Sequence, residues 1–270
     1  MSPVRFSDRL GSRLRRFFSR SNRVILFELV RVNLKGGDYG SLFGGLWSLT
    51  GLSATLVVMY FVFSKRFGSD VTAYPLYLLL GILPVSFFVT TTTHMVKVFF
   101  VNRDIALNST ILRESLVFTS MSLHAYRLTF ELLLCVVISL FYGFFTWRSV
   151  LLLPPLLAAF LAFVLGVGLI VSLLYCFARD IEYVWTLASR LLFFATPVFY
   201  TPESISLVAR RLIYYLNPLT PFLVAFRGVF IEGGQVGVFV YCHCLLLGVV
   251  VFSVGYLTFL GLEGAAMERA

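Results

Sequence analysis

Charged side chains are scarce in this sequence. Asp, Glu, Lys and Arg together make up 13% of the 270 residues, and the mean hydropathy is +0.91. Soluble domains usually carry roughly a quarter charged residues, so this composition excludes a single water-exposed globule. Apolar stretches recur along the whole chain with no soluble module between them, and we therefore expect one all-α integral membrane domain.

Cysteine is also sparse, and its spacing excludes a disulfide framework. The four cysteines form no CxxC pair, and two of them lie within apolar runs, where cysteine behaves as a small hydrophobic residue. Cys242-His243-Cys244 is the only compact group, and two thiols separated by one residue are a poor chelate for tetrahedral zinc. We expect no metal and no cofactor.

Catalytic and nucleotide-binding motifs are missing as well. The sequence has no Walker A, GxSxG or HExxH pattern, and its three histidines, His94, His124 and His243, are far apart along the chain. We therefore expect no enzymatic activity from this chain. Any transport driven by ATP would need an ATPase on a separate chain.

Long apolar runs are what the sequence does contain. Crossing a hydrocarbon core of about 30 Å takes roughly 20 helical residues. The pattern predicts a six-transmembrane-helix bundle, with spans at about 44–64, 74–93, 116–146, 150–176, 183–200 and 236–262. The span at 183–200 is marginal alone because it contains Arg190, and it should need the surrounding bundle.

Residues 1–43 precede the first span and hold nine of the 22 Lys and Arg residues. Residues 5–20 place apolar side chains on one helical face and arginines on another, which is typical of a helix lying in the membrane surface. Residues 24–38 form a second, amphipathic helix that ends at Gly36-Gly37. No secretory signal pattern is visible, so we expect this tail to stay attached.

The basic residues also orient the chain. With the N-terminus inside, 14 of the 22 fall on the cytoplasmic side and six on the other, as the positive-inside rule favours. Both termini are then cytoplasmic, including the tail at 263–270. Two short apolar segments, 204–216 and 220–230, are separated by Asn217-Pro218 and are too short to cross. We expect them to form two extracytoplasmic half-helices before the last span, where they would cover a pathway.

Four segments carry a family resemblance. The run from Arg31 through Lys35 and Tyr39 to Trp47 resembles the R-x-x-L-K-x-x-Y-x-x-x-x-L-G-x-x-W pattern of ABC-2 type polysaccharide and teichoic-acid export permeases. The other segments follow in the family's order: Arg179-Asp180-Ile181, Thr196-Pro197-Val198-Phe199-Tyr200, and Asn217-Pro218-Leu219 leading to Phe226-Arg227. The resemblance covers about residues 24–262. Phe43 and Gly44-Gly45 depart from it, because the family often has leucine before a single glycine.

The resemblance implies a homodimer in the cytoplasmic (inner) membrane, with two copies of a separate ATPase docked below it, forming a channel for a lipid-linked glycan. Residues 94–115, between the second and third spans, would dock in a groove of the ATPase, although a solvated loop would have a similar composition. The expected ATPase contacts in this segment are Lys97, Asn102, Arg103, Asp104, Arg113 and Glu114.

The same resemblance implies that the 24–38 helix lies where membrane, ATPase and substrate head group meet. Its candidate head-group residues are Arg31, Lys35, Tyr39 and, in the first span, Trp47. Arg31 and Lys35 are four residues apart and share a helical face. They suit either the pyrophosphate of a lipid carrier or ordinary anchoring to anionic lipid.

Further candidates lie within and beside the spans. Arg127 and Glu131 are four residues apart and can pair along one helix face, or they take part in gating or glycan contact. Arg190 has no obvious local partner, and Asp180, Glu182 or snorkelling would each explain it. The motifs shared with the family imply a cytoplasmic loop and a gate segment: Arg179 and Asp180 in the loop, and Pro197, Tyr200, Asn217, Pro218 and Arg227 in the gate.

The leading hypothesis is the permease subunit of an ATP-driven exporter of lipid-linked polysaccharide, with O-antigen, capsule and teichoic acid all open as cargo. A permease for a drug or small lipid is one alternative. A membrane-embedded transferase acting on lipid-linked sugars, with His94 or His124 as base and arginines for phosphate, is another. Seven aromatic residues are candidates for lining a glycan channel: Tyr60, Phe63, Tyr77, Phe87, Phe88, Tyr142 and Tyr200.

Overall fold

The computed structural model describes residues 20–38, 47–67, 73–108, 111–200 and 206–268. These residues form helices and connecting turns without a β-strand, which confirms the all-α prediction. Within the described ranges the helices are α1 (Arg20–Asp38), α2 (Trp47–Phe67), α3 (Tyr74–Val96), α4 (Val98–Val101), α5 (Arg103–Asn108), α6 (Glu114–Phe141), α7 (Trp147–Phe177), α8 (Ile181–Ala195), α9 (Leu207–Leu216), α10 (Leu219–Phe230) and α11 (Val238–Met267).

Four helices, α3, α6, α7 and α11, are long and apolar enough to cross a membrane. They match the spans expected at 74–93, 116–146, 150–176 and 236–262. Helix α6 ends at Phe141 and does not continue to residue 146. The reason is Gly143, whose φ of 73° is a left-handed conformation in which a right-handed helix ends.

The two remaining expected spans are shorter. The described apolar part of α2 is Leu49–Lys65, and α8 has 15 residues, which make a helix roughly 22 Å long. Helix α8 stops because Thr196 takes an extended conformation before Pro197. Within the described residues four spans are therefore confirmed by length and composition, and the total of six stays a prediction.

Helix α1 begins at Arg20 and runs through Gly36-Gly37 to Asp38, so the paired glycines do not end it. It packs against α6, while apolar side chains on its outer side, including Val24 and Phe27, are exposed. Such exposed apolar side chains suit a helix at a membrane surface. The surface helix expected at 5–20 lies outside the described residues, apart from Arg20 itself.

The buried core lies where α3, α7 and α10 meet. Helix α3 is buried along most of its length, and every residue of α10 except Val224 is buried. Aromatic rings fill this region, with Phe160 of α7 5.7 Å from Phe226 of α10 between ring centroids. Helix α10 is therefore a short helix packed inside the protein, the one setting in which a half-length helix is tolerated at membrane depth.

Helices α7 and α11 touch backbone to backbone. Gly255 lies against Gly166, and two turns earlier Gly248 lies against Ala159. A Cβ at Gly255 or Gly248 would meet backbone atoms of α7 closer than real Cβ atoms ever approach. Small residues allow this approach, and van der Waals packing of this kind holds helices together in lipid.

Polar contacts fasten the two ends of the bundle. At one end, the Ser139 hydroxyl donates to the Phe230 carbonyl and the Ser149 hydroxyl donates to the Val229 carbonyl at 2.7 Å, which joins α6 and α7 to the end of α10. At the opposite end, Arg113 lies 3.8 Å from Glu263 and joins the start of α6 to the last turns of α11. We call the end at Ser139, Ser149 and Phe230 the outer end, and the end at Arg113 and Glu263 the coupling end.

Candidate functional site

Arg227 of α10 is a buried arginine, 6% exposed, at the outer end. Its Nη1 donates to the Pro197 carbonyl at 3.0 Å and to the Tyr77 hydroxyl at 2.8 Å, and its Nη2 donates to the Val198 carbonyl at 2.8 Å. The guanidinium also lies over the Tyr77 ring, 3.4 Å from the centroid. A planar guanidinium can hold two neighbouring carbonyls and an aromatic face together, which a lysine ammonium cannot.

Two tyrosines in the first turn of α3 complete this contact. The Tyr74 hydroxyl donates to the Phe199 carbonyl at 3.1 Å, and the Tyr77 hydroxyl donates to the Tyr200 carbonyl at 3.0 Å. The four carbonyls of residues 197–200 are thus all bonded by side chains of α3 and α10. Non-helical backbone at membrane depth requires such partners. We call Tyr74, Tyr77, Arg227 and these four carbonyls the carbonyl node.

Asn217 joins the end of α8 to the start of α10. Its side-chain amide donates to the Thr196 hydroxyl at 2.7 Å, and its carbonyl oxygen accepts from the Leu219 amide at 3.0 Å, so that it caps α10. Pro218 follows at the helix start, where its missing N–H costs nothing. The structure therefore brings together all five residues of the expected gate segment, and it adds Tyr74, Tyr77 and Thr196.

We expect Asn217→Ala to destabilise the protein by about 1–2 kcal/mol, because it removes one buried hydrogen bond and a helix cap. Thermal unfolding of the purified protein in lipid nanodiscs measures this effect. A double-mutant cycle with Thr196→Val should isolate the side-chain bond as a coupling energy of about 1 kcal/mol. Asn102→Ala is the matched control, since Asn102 bonds only the Val98 carbonyl within its own turn. Equal melting temperatures for the two alanine variants would contradict the prediction.

Residues 94–115 fold as the last turn of α3, the two short helices α4 and α5, and the start of α6. Lys97 Nζ lies 2.5 Å from Glu182, and this hydrogen bond raises the pKa of Lys97 above its ordinary value. Asn102 is half-buried, whereas Arg103 and Asp104 are exposed, as is the apolar Val101 at 73%. A mixed charged and apolar surface therefore projects from α4 and α5.

Arg113 and Glu114 do not belong to this surface as expected. Glu114 is fully buried in the first turn of α6, where a carboxylate is stabilised by the helix N-terminus, so it cannot contact a partner in this conformation. Arg113 is turned inward toward Glu263 and the Ala106 carbonyl. The docking set predicted from sequence is corrected accordingly.

The charged residues of the spans are not paired with one another. Arg127 and Glu131 are both half-buried on α6, and among the ion pairs of the described side chains none joins them within 4 Å. Arg190 is exposed on the outer face of α8. Glu182, one of its expected partners, pairs with Lys97 instead.

The cytoplasmic loop and the interface helix have surface contacts. The Arg179 guanidinium lies 5.3 Å from the Phe100 ring centroid, and Asp180 is exposed at the start of α8. Arg31 lies 3.6 Å from Glu28, one turn away, with both side chains about half-exposed. Tyr39 and the side chains of Lys35 and Trp47 lie outside what the structure describes.

His94 and His124, far apart in sequence, meet with ring centroids 4.8 Å apart. Beside them a cavity of about 220 Å³ lies between α1, the 94–102 segment and α6, with Asn33 and Ser120 among its polar lining residues. The transferase hypothesis needs arginine beside a histidine base to hold phosphate. None of the described residues lining this cavity is an arginine, while Arg127 lies one turn after His124 on α6.

The candidate channel aromatics separate into two groups. Phe87 and Phe88 are buried in the core, and Tyr77 belongs to the carbonyl node. Tyr60 and Tyr142 keep exposed rings. Between these groups, Phe63 and Tyr200 are half-buried. Packing therefore accounts for the buried rings, and glycan contact stays a prediction for the others.

Comparison with known proteins places the chain beside permeases. No protein-family model matches it. The O-antigen export system permease protein RfbA of Klebsiella pneumoniae is 26% identical over 213 residues, which cover 77% of this chain and 82% of that protein, and a second RfbA of the same organism is 27% identical over 213 residues with the same coverage. RfbA of Myxococcus xanthus is 26% identical over 215 residues, 78% of this chain and 81% of that protein.

These relatives and the apolar helices agree with the motif evidence. The matched stretches cover more than three quarters of both chains, so the similarity extends well beyond any single motif. The chain is a multi-pass membrane protein, and its resemblance to the ABC-2 type O-antigen export permeases is confirmed.

Proposed function

We propose that this chain is the permease subunit of an ATP-driven ABC exporter that moves lipid-linked polysaccharide across the cytoplasmic membrane. The similarity to O-antigen export permeases over more than three quarters of the chain carries the proposal. In this function the chain acts as a homodimer with two copies of a separate ATPase and performs no covalent chemistry itself. Residues 44–262 form the transmembrane domain, with 1–43 and 263–270 in the cytoplasm.

In the proposed arrangement α2 and α8 complete a set of six spans, and the coupling end faces the cytoplasm. The positive-inside count supports this orientation. The Arg113–Glu263 contact supports it too, because it places the start of α6 and the end of α11 on one side. Helix α8 is short for a span, and its contacts with α3 and α7 supply the packing that such a helix needs.

The surface of α4 and α5 is the proposed ATPase dock. It offers exposed Phe100 and Val101 beside the charged side chains of Arg103 and Asp104. Aromatic or aliphatic anchors beside charged residues are typical of a specific protein interface. Helix α1, with exposed apolar side chains and Arg31, is the proposed lipid head-group region, and its Asn33 lines the same cavity as Val101 of α4.

The carbonyl node and helix α9 form the proposed gate at the extracytoplasmic side. Helix α9 exposes Leu207, Val208 and Leu212 together with Arg210 and Arg211, and a mixed apolar and basic surface suits a helix at the membrane surface. Helix α10 anchors it from inside the bundle. The gate and the dock thus lie at opposite ends of the molecule.

The test is affinity purification of the chain from its native membrane in mild detergent, with mass spectrometry of the bound proteins. We expect a near-equimolar ATPase, and we expect the double variant Arg103→Glu/Asp104→Lys to lose it, because it reverses both exposed charges of the dock. Arg148→Glu, a charge reversal at the exposed outer end, should retain the ATPase.

A second measurement identifies the cargo. Cells lacking the chain should accumulate lipid-linked polymer in the cytoplasmic leaflet, and the wild-type chain should restore its export. Recovery of the chain alone with transferase activity toward lipid-linked sugar would overturn the proposal. Export of a drug or a small lipid with no effect on polymer would favour the alternative permease function.

A further inference from the structure

We propose that α8 is a lever that transmits movement of the ATPase dock to the gate, and that the Lys97–Glu182 ion pair is its attachment at the coupling end. The inference rests on the proposed exporter function. It assigns positioning roles to Lys97, Glu182 and Trp185 in a movement that links two ends of the molecule.

One residue with an extended backbone interrupts the helical conformation on each side of α8, and we call each such interruption a break. Ala178 before it is extended, with φ −146° and ψ 115°, and Thr196 after it is extended, with φ −84° and ψ 137°. Neither break is helical, so neither helix hydrogen bonds nor a continuous axis connect α8 rigidly to α7 or to the gate. The helix between the breaks can therefore change its tilt as one body.

The first end of α8 is attached to the segment that leads into the dock. Glu182 pairs with Lys97 at 2.5 Å, and the Trp185 indole N–H donates to the Thr92 hydroxyl at 3.0 Å. Lys97 is the residue directly between α3 and α4. A displacement of α4 and α5 must therefore either pull the start of α8 along or break this pair.

The second end of α8 is attached to the gate. The Thr196 hydroxyl accepts from Asn217, and the carbonyls of Pro197 and Val198 accept from Arg227. These bonds join the residues immediately after α8 to the start and the interior of α10. A tilt of α8 is thereby passed to the carbonyl node.

Most of α8 is not buried in the protein. The structure describes α8 in full, and of its 15 residues only Ser189 is buried. Its outer face, with Leu187, Leu191 and Phe194, is exposed. The ion pair and the side-chain hydrogen bonds that join α8 and Thr196 to other elements lie near the two ends of the helix, whereas its contacts with α3 and α7 are apolar packing. Packed helices can slide past one another, so α8 can tilt while its two ends stay attached.

Charge exchange across the ion pair tests the lever. The single variants Lys97→Glu and Glu182→Lys each place like charges together, whereas the double variant restores an opposite pair. We expect each single variant in the reconstituted permease–ATPase complex to lower polymer exported per ATP hydrolysed by about tenfold, and the double variant to recover most of it. For Glu182→Lys, melting temperature and ATPase binding should stay unchanged, because Glu182 lies outside the expected docking set and an ion pair this exposed contributes little stability.

Two further variants make the test decisive. Glu182→Gln removes the ion pair without adding repulsion, so it should show the same loss even where a charge reversal disturbs folding. Glu268→Lys is the matched charge reversal, exposed at the coupling end and outside the attachment, and it should export normally.

Equal losses of export and ATP hydrolysis, or no recovery in the double variant, would overturn the lever and leave the exporter function standing. Failure of the unmodified chain to bind an ATPase or to export polymer would instead overturn the exporter function itself.

Discussion

Replacing Arg227 with leucine should prevent the permease from folding stably. Leucine has no donor for the carbonyls of Pro197 and Val198, which would stay buried without these partners. Each buried acceptor left without its donor costs about 1–3 kcal/mol, so two of them together take a large share of the stability of an ordinary domain. We expect little protein in the membrane fraction and a melting temperature lowered by many degrees.

Two other arginine variants separate this effect from loss of charge alone. Arg227→Lys keeps the charge but cannot bond both carbonyls and stack on Tyr77, so it should fall between the wild type and Arg227→Leu. Arg148→Leu removes an exposed arginine at the same end and should change stability by no more than about 0.5 kcal/mol. Equal melting temperatures for Arg227→Leu and Arg148→Leu would mean that the carbonyl node does not stabilise the outer end.

Gly255→Leu should have the second largest effect, because it separates α7 from α11. A side chain at Gly255 would enter the space of the Gly166 backbone, which cannot rotate away as a flexible side chain can. Overpacking ordinarily costs about 1–3 kcal/mol, and a clash with backbone lies at or above the upper limit. Membrane expression and thermal unfolding measure the loss.

Gly261→Leu is the control on the same helix. An added Cβ at Gly261 meets nothing within 4 Å, so leucine there should be tolerated, and its better helix propensity should add up to about 1 kcal/mol. Similar losses at Gly255 and Gly261 would mean that helix–helix approach is not what the glycine at 255 provides.

Apolar run length was sufficient to locate most of the bundle but not its irregular parts. The end of α6 was missed because Gly143 lies within an aromatic run that reads as helix, and its left-handed backbone is set by the turn into α7. The burial of α10 was missed for a different reason. Segment length indicated only a half-length helix on the extracytoplasmic side, and the partners that satisfy Arg227 come from α3 and from residues 197–198, far away in sequence.

The candidate sites show the same pattern: residues in local motifs could be predicted from the sequence, and contacts between residues far apart in the chain could not. The gate residues were named from motifs, and the structure brings them together. Tyr74 was not named, since a tyrosine at a helix start is equally typical of a membrane-interface belt. Glu114 was assigned to the dock because composition cannot show which way a side chain faces, and Lys97–Glu182 joins residues with no shared local pattern.

The side chains of the carbonyl node bind main-chain oxygens, so the hydrogen bonds that hold residues 197–200 do not depend on which side chains those residues carry. Every residue type has a carbonyl, so positions 198–200 can exchange one apolar side chain for another of similar volume without losing a bond to Tyr74, Tyr77 or Arg227. The half-buried Tyr200 has the most freedom. Substitutions at these positions can therefore alter the packing beside the carbonyl node while the main-chain hydrogen bonds that hold the segment persist.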